Sequence, residues 1–393
     1  MKAGSHKKFA FRSWCLFAAA MALSIQPLSA QARSFTVLYS FTNNATAGEH
    51  PSSPLLRDSK GNLYGTALGG SFGRGIIFKL SGTGQERVLY KFRGYPDGDV
   101  PDLISFRDSA GNLFGTTFQG GAYSFGTVFK LDTHGRETII YSFCPKTPCT
   151  KGAYPGGVIP GKNGSLYGIT YAGGNFSCEI TGCGTVFKIG RKGFQSLLHA
   201  FGGLDGQNPN AGLVLDASGN VYGTTAYGGA YGRGTVFKVT ETRQESVEYS
   251  FDGGANGAYP DGGLYRDAEG NLYGTTFQGG AYNYGTIFKI TALGQFMVLY
   301  SFPGGGAGAN PYADLNLDQQ GNIFGTTYSG GSHNFGAIFK LDAIGNETVL
   351  HNFGEEKDDI HPSGLIIDAS GNLYGTTYQG GAYNYGSVFE VVP

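Results

Sequence analysis

Short runs of apolar residues recur along this chain, each bounded by glycine, asparagine or aspartate. In one stretch Gly262 to Asp267 (GGLYRD), Asn271 to Thr276 (NLYGTT), Gly285 to Ile290 (GTIFKI) and Phe296 to Phe302 (FMVLYSF) follow one another, all rich in aromatic or branched residues. Such runs predict four strands, A to D. Both faces of each run tend to be apolar, as expected of a sheet covered on both sides. The segment G-[NS]-[LVI]-[YF]-G-[TI] returns at Gly61, Gly111, Gly164, Gly219, Gly270, Gly321 and Gly371, at intervals of 50 to 55 residues. A period of this length carrying several short strands predicts an all-β fold, a β-propeller of four-stranded antiparallel blades.

The ends of the chain bear on closure. Phe35 to Phe41 (FTVLYSF) matches a D strand, and Ser387 to Val392 (SVFEVV) matches a C strand with no D strand after it. Together they complete one blade, which predicts a ring of seven blades and not an open solenoid with polar caps. Residues 31–393 read as one domain, because the repeat runs on without a linker. The 68 glycines fall at fixed places in each repeat, so they mark turns and not disorder.

Residues 1–30 read as a secretory signal, with Lys2, Lys7, Lys8 and Arg12 before an apolar stretch and cleavage after Ala30 or Ala32. The expected location is secreted or periplasmic. Without those four basic residues the mature chain carries a net charge of about minus 5, which argues against nucleic acid as a partner. No later segment is long and apolar enough to span a membrane, and a monomer with no C-terminal sorting tail after Pro393 is expected. Cys144, Cys149, Cys178 and Cys183 remain after the signal as two C-x4-C pairs. In an exported protein these favour disulfides over zinc, with local pairing preferred among three connectivities.

The repeat D-x-x-G-N-L-Y-G-T-T, then G-G, then G-T-V-F-K-L, then V-L-Y-S-F resembles that of the choice-of-anchor tandem repeat GloVer-containing proteins, over nearly the whole mature chain. The resemblance implies an exported β-propeller of unestablished activity, often with a C-terminal anchoring signal. This sequence departs from that pattern at its C-terminus.

Candidate chemistry lies in the loops. The A to B turns carry Asp58, Asp108, Asp216, Asp267, Asp318 and Asp368, with Gly161 in the third repeat. Capping of backbone N–H groups explains them better than a calcium ring. Lys79, Lys130, Lys188, Lys238, Lys289 and Lys340 on strand C are expected to be blade-edge charges paired with those aspartates. The D to A loops differ in every repeat, and each ends in a proline: Pro51, Pro101, Pro155, Pro209, Pro260, Pro311 and Pro362. Residues beside the prolines should face the mouth of the central channel, which makes His50, Asp97, Asp99, Asp102, Tyr154, Asp205, Asn210, Tyr259, Asp261, Asn310, Tyr312 and His361 the candidate ligand-binding set. The B to C loops carry Tyr123, Phe125, Tyr282, Tyr284, Tyr383 and Tyr385, with Phe72, Phe176, Tyr231 and Phe335 in the other blades; these are expected to wedge neighbouring blades together, with stacking on sugar rings or other flat partners as the alternative.

No enzyme motif holds. Gly69 to Gly73 (GGSFG) satisfies G-x-S-x-G without the helix a nucleophile elbow needs, and Gly156 to Lys162 approaches a phosphate loop without its Ser or Thr. No catalytic residue and no metal ligand is assigned, and no cofactor is required, with a divalent cation such as calcium left open. Carboxylates at Asp97 to Asp102 and Glu355 to Asp359 could serve glycoside cleavage only if they converge. The expectation is a binding or scaffold propeller that recognises a glycan, peptide or protein partner through its D–A and B–C loop face. A hydrolase or lyase acting on a polysaccharide or small ester, and a structural envelope protein, are the alternatives.

Overall fold

The structure is a computed structural model and describes residues 1, 34–42, 47–51, 53–178, 180–355 and 359–393. The expected signal at 1–30, with both of its cleavage positions, lies outside the described residues apart from Met1. Residues 33–393 form one compact unit.

That unit is a seven-bladed β-propeller. In blade 5 the strands are Tyr265–Arg266 (A), Leu272–Thr276 (B), Thr286–Ile290 (C) and Phe296–Ser301 (D), hydrogen-bonded in that order and antiparallel throughout. The other blades repeat this order. In blade 7, Ile360–Ile367, Leu373–Gln379 and Ser387–Val392 are completed by Ser34–Ser40 from the start of the chain, which pairs with Ser387–Val392 from Ser34 opposite Val392 to Ser40 opposite Ser387. The ends close the ring as their sequences predict.

In blades 1, 4, 5 and 6 strand A is shorter than its apolar run suggests, as at Tyr265–Arg266, whereas in blades 2, 3 and 7 it spans Gly98–Arg107, Ala153–Pro160 and Ile360–Ile367. In blades 2, 3 and 7 its register slips just after the proline, between Pro101 and Ile104, Pro155 and Val158, and Pro362 and Leu365. Elsewhere it breaks into a bridge or short pair before the proline and a two-residue strand after it. A bulge spends residues on re-aiming side chains instead of on ladder hydrogen bonds.

Blades pack face to face through the aromatic of strand C (Phe78, Phe129, Phe187, Phe237, Phe288, Phe339, Phe389), all fully buried. The Gly of the G-T pair leaves room for it: a Cβ at Gly223 would lie 2.7 Å from Phe237. A second layer lies further out, where strand D of each blade offers a Tyr or His to the first residue of strand D in the next. Tyr39, Tyr90, His199 and Tyr300 face Glu86, Glu137, Glu245 and Glu347. Tyr141 donates to Gln195 (3.4 Å), while Tyr249 and His351 stack on Phe296 and Phe35 at 3.7 and 3.8 Å between ring centroids.

The turn aspartates cap as expected and do more. Asp267 accepts the N–H and side-chain amide of Asn271 at 2.7 Å each and the Tyr273 hydroxyl at 3.1 Å, so the D-x-x-G-N-x-Y spacing forms one hydrogen-bonded unit. The strand C lysines depart from expectation. No described lysine makes an ion pair with a turn aspartate; Lys79, Lys130, Lys188, Lys238, Lys289 and Lys340 instead lie 4.8 to 5.9 Å from the centroid of the strand B ring beside them. Cross-strand neighbours such as Lys289 and Tyr273 place ammonium over π-face, which cedes the carboxylate to Asn and Tyr. Both disulfides form locally, Cys144 with Cys149 and Cys178 with Cys183.

Candidate functional site

The loop-bearing mouth is organised by the seven X-Pro dipeptides. His50, Val100, Tyr154, Asn208, Tyr259, Asn310 and His361 all adopt left-handed backbone, with φ between 50° and 59°. This conformation costs a non-glycine residue about 1–3 kcal/mol and persists only where the surroundings enforce it. Here each N–H donates to a carbonyl of the preceding blade, from His50 to Tyr385 (2.8 Å) around to His361 to Phe335 (3.2 Å). The following proline then lies against the glycine that opens strand C of that blade; a Cβ on Gly234 would come within 2.5 Å of Pro260 Cδ. X-Pro and Gly together form a clasp between blades, made seven times.

This clasp explains five of the candidate residues. His50, Tyr154 and His361 stack on Tyr378, Phe118 and Tyr328 of the preceding blade at 4.7, 4.9 and 4.5 Å. Tyr259 meets Tyr227 edge to face at 5.6 Å, under the Arg233 guanidinium. Asn310 donates its amide to the Phe277 carbonyl (2.8 Å) and accepts from Ser329 (2.7 Å). The partners in these pairs, Phe118, Phe277, Tyr328 and Tyr378, directly follow strand B's G-T-T, as Tyr171 follows G-I-T in blade 3 and Leu68 follows G-T-A in blade 1, while Tyr227 in blade 4 comes one place later. They ring the mouth. Sequence reasoning missed them because they read as strand core, although their place just before G-G on the loop face was a usable signal.

Three of the candidates meet in one pocket. Asn210, Asp261 and Tyr312 each follow their proline directly, and with Tyr171, Ala226, Tyr227, Phe277 and Tyr328 they line a concavity of about 380 Å³. Burial pushes the Asp261 carboxyl up to about 6. Burial, reinforced by Tyr328, raises the Tyr312 phenol, whose hydroxyl donates to the Pro362 carbonyl at 2.6 Å. Asp102 holds the same place in blade 2 and is also pushed up to about 6 by burial, against the nearby Thr116 hydroxyl. Asp314, two residues beyond Tyr312, is raised by the protein around it, opposed by the Gly263 N–H that donates to it at 2.6 Å. Its side chain still reaches solvent, so water in the channel moderates that effect.

The remaining acidic candidates do not join them. Asp97 accepts from Tyr90, Arg93 and Gly98 and holds its own loop. Asp99 is buried against Arg74. Asp205 pairs with His199 on the outer strand of blade 3.

The B–C loop aromatics split into two rows, which corrects their expected role as wedges. In the second row Phe125 packs on Tyr154, Tyr385 on His50 and Phe335 on His361, although Phe335 and Tyr284 also remain exposed. The first row faces solvent: Phe72, Tyr123, Phe176, Tyr231, Tyr282 and Tyr383 are exposed, Tyr231 by 63%. The flanking turn, with left-handed Ser124, Asn283 and Asn384, lifts these side chains off the blade interface. Ser71 of the G-x-S-x-G match lies in such a loop, and the described residues contain no α-helix, only 3-10 turns at Lys162–Gly164 and Gly305–Ala307.

The family model described as Gloeobacter/Verrucomicrobia repeat matches residues 24–181 and 177–389. No curated protein matches the chain. Among solved structures, the chain is similar to an extracellular domain assigned to a one-component system of B. thetaiotaomicron, at 11% identity and a TM-score of 0.55, over 90% of this chain and 39% of that one. It is similar also to a gluconolactonase from Xanthomonas campestris (12%, TM-score 0.47, 91% and 89% of the two chains) and to a luciferin-regenerating enzyme (12%, TM-score 0.44, 92% and 95%). At these identities the likeness is one of fold alone.

Proposed function

The chain belongs to the Gloeobacter/Verrucomicrobia repeat family, and we propose that it is an extracytoplasmic binding propeller that takes a neutral or amino-bearing glycan at its channel mouth. Two disulfides fit a compartment outside the cytoplasm. The observation that carries the proposal is the pocket in which Tyr171, Tyr227, Phe277, Tyr312 and Tyr328 surround Asn210 and Asp261. Aromatic faces accept the C–H face of a sugar ring, while one amide and one carboxylate can bridge adjacent hydroxyls. The segments that follow the seven prolines supply Asp102, Asp261 and Asp314 to the channel and no Lys or Arg before Arg57, Arg107 and their equivalents. Set against Arg233, which lies over Tyr259 beside the pocket, these three carboxylates favour neutral or amino sugars over uronic acids and sulfated sugars.

A hydrolytic role has less support. Asp102 and Asp261 have the raised pKa of a general acid, but they stand in blades 2 and 5, and burial is the sole cause of the Asp261 shift. Among the described residues no second charge contributes to that shift.

Calorimetry against a panel of neutral, amino and acidic oligosaccharides tests the proposal. Asp261→Ala and Tyr227→Ala should each weaken binding of the best neutral or amino ligand about tenfold, equivalent to about 1.4 kcal/mol, with little change in melting temperature for Asp261→Ala and some loss for Tyr227→Ala, which also removes a clasp contact. A preference for acidic glycans, or binding indifferent to both substitutions, would overturn it.

A further inference from the structure

The outer layer of strand D pairs contains one junction unlike the other six. Between blades 3 and 4 the strand D residue is His199 where five other junctions have Tyr, and unlike His351 at the sixth, which stacks on Phe35, it faces a carboxylate, Glu245. The loop after His199 brings back a second carboxylate, Asp205, whose Oδ2 lies 2.7 Å from His199 Nε2. One ligand atom each from His199, Asp205 and Glu245 lie within 4.8 Å of one another. Glu245 Oε1 is buried without a hydrogen-bond partner, and all three residues are partly accessible, which leaves a route for an ion.

The surroundings hold this arrangement. Asp205 Oδ1 accepts the Gly202 N–H at 2.7 Å. The Ser177 hydroxyl donates to the Gly202 carbonyl at 3.2 Å, and Cys178 Sγ would lie 3.4 Å from a Cβ on Gly203. The Cys178–Cys183 bridge thus braces the loop that carries Asp205, which gives this enlargement of blade 3 a positioning role.

We propose that His199 Nε2, Asp205 and Glu245 form a binding site for a divalent transition-metal ion, zinc above all, at the outer rim of the blade 3–4 junction. One imidazole nitrogen and two carboxylate oxygens suit Zn²⁺, Co²⁺, Ni²⁺ or Mn²⁺; Ca²⁺ and Mg²⁺ favour oxygen alone. Metal–ligand distances of about 2.0–2.2 Å place neighbouring donor atoms about 3–3.5 Å apart, so the His199–Asp205 hydrogen bond opens slightly and Glu245 moves in by roughly 1–1.5 Å. Water completes the coordination.

The molecule contains its own control. At the junction of blades 1 and 2, Tyr90, Asp97 and Glu137 hold the equivalent places; the Tyr90 hydroxyl donates to Asp97 at 3.0 Å, and Glu137 Oε1 is likewise buried without a partner. An orphaned Glu oxygen therefore belongs to the layer in general. What distinguishes blades 3 and 4 is the exchange of a phenol for a metal-ligating imidazole.

The test is titration of the tag-free mature protein with Zn²⁺ by calorimetry and with Co²⁺ by visible absorption. One equivalent should bind with a Kd of about 10 μM or tighter. His199→Tyr, which copies the blade 1–2 junction and so keeps the fold, should weaken binding at least a hundredfold and abolish the Co²⁺ band. Glu245→Gln should weaken binding at least tenfold and decides the matter if His199→Tyr does not fold. Tyr90→His should create a second Co²⁺ equivalent. No stoichiometric binding by the unsubstituted protein, or equal binding by His199→Tyr or Glu245→Gln, would overturn the proposal.

Discussion

His351 lies parallel to Phe35, 4° between planes, with Nε2 buried and without a hydrogen-bond partner. A charged ring in that slot would lose its solvation, so burial pushes its pKa down to about 4, against the opposing pull of Glu355. The unfolded chain takes up the same proton near 6.5. Between those values the unfolded state binds more protons, so stability is complete above about pH 6.5 and falls as the pH drops toward 4. For a half-buried ring, discounted for solvent screening, the loss is about 1–2 kcal/mol. His351→Phe should remove this part of the acid slope, making the protein more stable at pH 4.5 and nearly unchanged at pH 8, as read from urea midpoints at the two pH values; an unaltered slope would show that His351 is not the titrating group. At this scale the sequence was partly legible. It marked His50, Tyr154, Tyr259, Asn310 and His361 because a proline follows each, yet their left-handed backbone and their partners lie across a blade boundary that no local pattern reports. Asp205 was marked as a mouth residue, but its convergence with His199 and Glu245 was opaque, because two neighbouring blades supply the three.

The unit that repeats at the scale of elements is the clasp between an X-Pro dipeptide and the glycine that opens the preceding strand C. Gly234 has φ +95°, and a Cβ there would meet both Pro260 Cδ and the Thr225 carbonyl at 2.5 Å. Gly232, two residues earlier, has φ +69° with nothing within 4 Å. Alanine at Gly232 should cost only the backbone term, about 1 kcal/mol, whereas alanine at Gly234 adds overpacking and should cost about 3 kcal/mol or more. The difference between the two urea midpoints isolates the clasp, and equal destabilisation would count against it. Strand order, turn chemistry and the disulfide pairing could be read from the sequence because each rests on neighbours in the chain. The length of strand A could not, since its apolar run continues through a bulge. The lysine partners could not either, since ring and carboxylate compete at similar distance and only cross-strand register decides between them.

For the whole molecule, the number of blades and their closure were legible because the two ends of the chain carry complementary halves of one blade. Which blades build the pocket was not, since that depends on how seven differing loops tilt over the axis. Closure has a mechanical consequence. Ser34–Ser40 is the outer strand of blade 7, and Phe35 in it stacks on His351 of blade 6 while Tyr39 faces Glu86 of blade 1. Removing residues 34–41 therefore strips an edge strand and breaks two of the seven outer junctions at once, leaving two apolar blade faces partly open to water. A lower melting temperature and aggregation on heating are expected, but they would follow from lost burial whether or not the ring must be closed by its ends. A circular permutant separates the two causes. Moving residues 34–49 to follow Pro393 through a short Gly-Ser linker makes all four strands of blade 7 continuous in sequence while restoring every contact. If closure works through those contacts alone, the permutant should melt within a few degrees of the parent. If the permutant matches the deletion variant instead, the restored contacts do not account for the stability, and having the two ends of the chain meet in one blade does.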